Sequence, residues 1–168
     1  PVLFGNNLNT KFHESTSTFS KDGTTVYFTR NNYSSSVYKS DKSGINRLKL
    51  YTAKRKDNGQ WTIAKELPFN SDQFSTAHPT LNRDETKLYF ASDREGTIGL
   101  SDLWVVDILG EDEYSEPRNL GTTINTEGRE SFPHLGSDGT LYFATNGRPG
   151  VGGLDVFTTT TENENDVL

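Results

Sequence analysis

"ESFPHLGSDGTLYFATNG", residues 130–147, reads as a strand, a two-residue Asp-Gly turn and a second strand. Nearly the same phrase stands twice upstream, as "ESTSTFSKDGTTVYFTRN" from Glu14 and "TAHPTLNRDETKLYFASD" from Thr76. With Asp22, Asp84 and Asp138 set in one column, Tyr27-Phe28, Tyr89-Phe90 and Tyr142-Phe143 coincide, the third copy being one residue shorter in the turn. Further along, Leu50-Tyr51, Leu103-Trp104 and Val156-Phe157 share a column, followed by Trp61 with Tyr114 and by Leu67 with Leu120. The chain is built of repeats, restarting at Asn9-Thr10, Asn70-Ser71 and Asn125-Thr126.

These restarts divide the chain into residues 1–8, the tail of a preceding unit, then units at 9–69 and 70–124 and an incomplete one at 125–168. The tail "FGNNLN" at 4–9 matches "LGTTIN" at 120–125, and "TTTTENENDVL" ends the third unit before any counterpart of Trp61. The chain also lacks an initiator Met and a signal peptide, so it is expected to be processed or excised from something longer.

Each unit reads as four short strands, in the second copy 76–82, 86–92, 102–108 and 114–120, rich in aromatic and β-branched residues. No apolar stripe recurs at helical spacing, so the chain is expected to be all-β. Tyr89 and Phe90 are neighbours, and neighbouring side chains on a strand point to opposite faces, so both faces of that strand call for apolar cover. A sheet stacked between two like sheets uses both rings. Repeats of this size, with four antiparallel strands apolar on both faces, predict β-propeller blades, about three of them, forming part of a larger propeller. A sandwich of about a dozen strands is the structural alternative. Three blades do not close a ring, so missing blades or a second chain are expected to complete it.

Bulk composition narrows the function. Only 31% of the 168 residues are hydrophobic, but two Trp, seven Tyr and ten Phe supply an aromatic core. A net charge of −6 repels phosphate backbones, which excludes nucleic acid as the expected partner. With no Cys there is no disulfide, thiolate nucleophile or Cys-ligated metal. No apolar run approaches the ~20 residues that span a bilayer, so the chain is not expected to be membrane-spanning.

The pattern E-S-F-P…S-D-G-T-L-Y-F-A-T-N-G-R-P-G…G-G-L-D-V-F at 130–157, with S-D-R-E-G…G-L-S-D-L-W at 92–104, resembles the TolB-like, WD-type propeller repeats. It is most similar to the version found in periplasmic OmpA-family proteins of the Bacteroidetes, and the junction "LGTTINTEGRESFP" at 120–133 is especially like that group. The first copy departs from the pattern, with Ser17 where Pro79 and Pro133 stand and a longer insert, "NNYSSSVYKSDKSGINRLK". The resemblance implies a periplasmic protein associated with the outer membrane and connected with type IX secretion, beside tetratricopeptide repeats and a peptidoglycan-binding OmpA-like domain. Neither neighbour lies in this chain, so peptidoglycan would be reached only through a domain absent from it.

No catalytic set emerges. His13, His78 and His134 fall in different columns, and there is no His-x-x-x-His pair for zinc. There is no Gly-x-Ser-x-Gly elbow, and "GRPGVGG" at 147–153 lacks the Gly-Lys-Ser/Thr of a phosphate loop. Asp102 and Asp155 share a column that Lys49 fills in the first copy; with Asn146, Asp155 could serve Ca²⁺, but capping of its own loop is the plainer reading. The expectation is therefore a protein that is not an enzyme and carries no cofactor or metal. Binding remains, through loops carrying Arg94, Glu95, Arg148 and Pro149 and through Tyr33 and Tyr38 of the insert. The leading expectation is a non-catalytic scaffold contacting envelope proteins. The alternatives are a propeller that binds carbohydrate or peptidoglycan fragments on Tyr33 and Tyr38, and an accessory propeller of a hydrolase, as in prolyl oligopeptidases.

Overall fold

A computed structural model describes residues 4, 5, 7–34 and 36–160. The expected tail at 1–8 thus lies partly, and the segment 161–168 wholly, outside the described residues. The chain is all-β, with antiparallel sheets and no helix among the described residues, so none there is long and apolar enough to cross a membrane.

The three aligned phrases become three sheets. The first contains β1 (Glu14–Phe19), β2 (Thr25–Asn31), β5 (Leu48–Lys54) and β6 (Lys65–Glu66), in that order. Its insert forms a small separate hairpin of β3 (Tyr33–Ser34) and β4 (Val37–Tyr38). The second sheet runs β7 (Thr76–Leu81), β8 (Lys87–Ser92), β9 (Asp102–Gly110) and β10 (Glu113–Tyr114), with β11 (Arg118–Asn119) also pairing with β9. The third has β12 (Glu130–Leu135), β13 (Thr140–Thr145) and β14 (Asp155–Thr160).

Two details differ from the sequence reading. The strand expected at 114–120 is broken into β10 and β11, because Pro117 between them has no N–H to give to β9. The hairpin turns are longer than two residues. Ser20 N–H bonds to Thr25 O and Gly136 N–H to Thr140 O, enclosing four and three residues. Gly23 and Gly139 take the left-handed position in these turns, while Asp22 and Asp138 accept from the N–H of Thr24 and Thr140. In the middle copy Glu85 occupies that position at φ 59°.

The sheets pack face to face in chain order. β7 lies against β1, β2 and β5 on one side, and β12 packs against β7, β8 and β9 on the other. The paired rings divide as the alternation of strand faces requires. Tyr27 joins Leu81, Leu88, Phe90 and Trp104 between the first and second sheets. Tyr89 joins Leu135, Leu141, Phe143 and Phe157 between the second and third. Phe28 turns the other way, to Leu8, Val26, Tyr51 and Trp61. In the third copy Phe143 is covered but Tyr142 is 38% exposed, because no described element lies beyond that face.

The restart asparagines clamp unit to unit. Asn70 accepts from Leu50 N–H at 3.1 Å and donates to Leu50 O at 2.7 Å, and Asn125 does the same with Leu103 at 2.8 and 3.0 Å. A side-chain amide presents an N–H and its C=O side by side on one edge, so it can meet both the N–H and the C=O of one residue, and each linker is fastened to the third strand it leaves.

Candidate functional site

β1, β7 and β12 are the first strands of their sheets and each is an edge strand, so together they line a groove. All three are kinked at one place. Ladder register slips between Ser15 and Ser17, between Ala77 and Thr80, and between Ser131 and His134. At these bulges Thr16, His78 and Phe132 have φ of 21°, 58° and 51°. Positive φ is uncommon outside glycine and strained for a bulky ring, and a bulge re-aims its side chain. Pro79 and Pro133 follow the last two; on an edge strand the missing N–H breaks no ladder.

The bulges also join the sheets. Thr29 Oγ1 shares a hydrogen bond with Thr16 Oγ1 and accepts from His78 N–H, both at 2.9 Å. His78 stacks on Phe132 with centroids 4.0 Å apart, and its Nδ1 accepts from Phe132 N–H at 3.4 Å. Nδ1 can accept only when unprotonated, which places the ring proton on Nε2. Burial, aided by the nearby Arg129 cation, lowers the His78 pKa to about 4.

That shift carries a stability prediction. A folded-state pKa below the ordinary 6.5 means that the unfolded chain takes up a proton first, so stability is full above pH 6.5 and falls towards pH 4. Discounted for the part of the ring that meets water, the loss is about 2 kcal/mol. Urea midpoints measured from pH 7.5 to 4 should show it. His78→Asn, which tolerates the left-handed region, should flatten that slope; an unchanged slope would assign the acid sensitivity elsewhere. The Asp107 carboxylate, held well below its usual range by Arg118 and then Lys87, titrates only in a lower window.

The groove has a volume of about 430 Å³. Phe19, Phe132 and His134 present rings along it, with Lys21, Arg83 and Glu85 near the hairpin turns. Phe132 is 49% exposed. Glu85 accepts from Lys21 N–H, fastening the turn of the second sheet to that of the first. No sequence argument singled out this groove.

The residues singled out from the sequence lie apart from it. Tyr33 and Tyr38 pair across the β3–β4 hairpin, and both pack on Phe12, with centroids at 4.9 and 5.1 Å. Tyr38 is 51% exposed, and the Lys11 ammonium lies 5.6 Å from the Tyr33 ring. Glu95 and Pro149 are exposed. Arg148 is tied down, donating through Nη2 to the carbonyls of Thr123 and Ile124 at 2.6 and 3.1 Å. Arg94 corrects the expectation of a mobile, displayed loop group. It is 8% exposed, with its guanidinium among Phe69, Phe74, Phe90 and Trp104.

The aspartate column caps its own loops. Asp102 accepts from Ile98 N–H at 2.8 Å and Asn119 Nδ2 at 2.6 Å, and Asp155 accepts from Gly152 N–H at 3.0 Å. In the first copy Lys49 reverses the charge and pairs with Glu66 and Asp72 at 2.5 and 2.6 Å. Asn146, the other Ca²⁺ candidate, accepts from Arg129 N–H at 2.7 Å. Among the described residues no cluster of three or more His, Asp or Glu is placed to hold a metal ion.

No protein-family model matches the chain, and no curated protein matches it.

Proposed function

We propose that the three stacked sheets are blades of a β-propeller and that the protein is a non-catalytic interaction scaffold whose inner-strand groove receives a segment of a protein partner. One observation carries the reading. Three equivalent residues of three copies, Thr16, His78 and Phe132, are held at positive φ along one groove. Strained backbone persists only where surrounding structure enforces it, and it concentrates at ligand sites. Here it turns Phe132 into the groove mouth between three edge strands, an elongated surface suited to an extended chain. Exposed rings together with Lys21, Arg83 and His134 favour a segment that pairs an apolar side chain with a carboxylate. From the resemblance the reading takes a periplasmic place at the outer membrane, in an OmpA-family protein serving type IX secretion.

Panning a random-peptide library against the immobilised chain tests this. The selected peptides should carry an acidic residue beside an aromatic or aliphatic one, and Phe132→Ser should weaken them about tenfold. Peptides that bind the variant equally well would remove the groove from the proposal. The three-ring cluster of Phe12, Tyr33 and Tyr38 favours a second reading, the carbohydrate platform. Binding of peptidoglycan fragments that disappears in Tyr33→Ala would move the assignment there.

A further inference from the structure

Among the described residues, the two outer faces of the stack are the unmatched halves of the joint that recurs inside it. Tyr27 and Tyr89, 7% and 6% exposed, are each buried with three residues of the following sheet: Leu81, Leu88 and Phe90 for the first, Leu135, Leu141 and Phe143 for the second. In the first sheet the same three columns hold Phe19, Val26 and Phe28. These line a recess of about 500 Å³ whose rim includes Phe4 and Leu8; Phe19 is 42% exposed at its mouth, while Val26 and Phe28, 1% and 5% exposed, form its floor. Leu8 is not a plug, since Phe69 and Ile124, from the linkers before the second and third sheets, sit in the corresponding clusters. At the opposite end of the stack Tyr142 is 38% exposed. Val156 is 72% exposed, although its counterparts Leu50 and Leu103 are fully buried.

The second joint is also close at its lead-in. At the second joint Leu100 N–H bonds to Gly128 O at 2.7 Å and Glu130 N–H to Ser101 O at 2.8 Å. The approach is so close that a Cβ on Gly99 would lie 2.4 Å from the carbonyl oxygens of Thr126 and Gly128. Gly152 occupies the Gly99 column in the third copy. A Cβ there would meet nothing nearer than Asp155 Oδ1 at 3.4 Å, and its φ lies outside the left-handed region. Packing within the chain does not require glycine at 152; the first joint, where the insert intervenes, is closed with Asn46 in this column, so a third joint of the second kind would use the glycine while one of the first kind would not need it.

We propose that two copies of this chain close on each other head to tail, the Tyr142 ring of each entering the Phe19–Val26–Phe28 recess of the other. The loop around Gly152 then lies against Phe12–Glu14 as Gly99 lies against Gly128. The proposal rests on reading the sheets as propeller blades. A second copy is the occupant because it presents both halves of an interface the chain already builds twice, and because six blades fall within the range of roughly four to eight at which such rings close. Each contact is heterologous, and a ring with two-fold symmetry ends the series.

Sedimentation and light scattering of the chain in moderate salt, which screens the −6 charge of each copy, should give twice 18.8 kDa. Tyr142→Lys and Phe19→Lys, both at exposed positions, should each weaken the dimer at least tenfold. Mixing the two variants should restore association through the one joint left unmutated. A wild-type chain that remains monomeric at roughly 100 µM, or a dimer indifferent to both variants, would overturn the closure. Tyr89→Lys separates this from the blade reading: it should unfold the chain, and a variant as stable as wild type would end the stacked-blade reading itself.

Discussion

Phe90→Ala should remove about 3–5 kcal/mol of stability, a large part of what a domain of this size possesses. Phe90 is fully buried between the first and second sheets and stacks on Phe69 at 5.1 Å with ring planes 16° apart. Phe69 is pinned in turn by the edge of Tyr114 at 5.4 Å, and the Arg94 guanidinium lies 5.0 Å from the Phe90 ring. Walls fixed on three sides cannot collapse into the cavity, which puts the cost at the upper end of the range. Urea denaturation should show a lower midpoint at unchanged slope. Val156→Ala, at a 72% exposed position of the third sheet, should stay within about 0.5 kcal/mol of its parent when introduced into the Tyr142→Lys chain, which leaves that face uncovered. A loss below about 1 kcal/mol for Phe90→Ala would mean that the sheets do not share the core described.

That contrast between Phe90 and Val156 marks how far the sequence could be read. Strand faces were legible because alternation is a property of the backbone: Tyr89 and Phe90 had to part, and they do, to opposite neighbours. The groove was not legible. A bulge adds one residue to one strand without altering composition, so Thr16, His78 and Phe132 carry no local signature beyond the proline that follows two of them. The insert of the first copy was visible only as length. Its order comes from Asn46, which donates to Asn32 O and Lys39 O and accepts from Asn32 N–H, contacts that no periodicity encodes. Loop assignment misled at Arg94. With Glu95 it reads as a displayed loop residue, yet counting by twos from Phe90 through Ser92 reaches Arg94 on the same inward face, as Phe28, Arg30 and buried Asn32 do in the first copy.

Replacing Arg94 should therefore alter stability rather than binding. Its Nε donates to Ser92 Oγ at 3.1 Å, and Nη2 donates to Phe69 O at 3.2 Å and Thr76 Oγ1 at 3.3 Å. Phe74, Phe90, Trp104 and Phe69 surround the guanidinium at 4.9 to 5.9 Å. Burial lowers its pKa to about 10, which leaves it a cation at neutral pH, and the nearest opposing influences are Glu116 and Asp93. The rings and carbonyl take the place of a carboxylate partner: a flat, weakly hydrated cation can stack on ring faces where an ammonium cannot. Arg94→Ala should cost about 3 kcal/mol, through the void between four rings and the donors lost to Phe69 O and Thr76 Oγ1. Arg94→Lys keeps the charge but loses the planar fork, and should cost about 2 kcal/mol. Arg94→Met fills the space with no charge to desolvate and should cost least of the three. Urea midpoints for the set decide between the causes. Lys matching Arg would show that the fork geometry contributes nothing, and Met falling as far as Ala would show that the cation itself, not its packing, holds the linker around Phe69 and Phe74 to the second sheet.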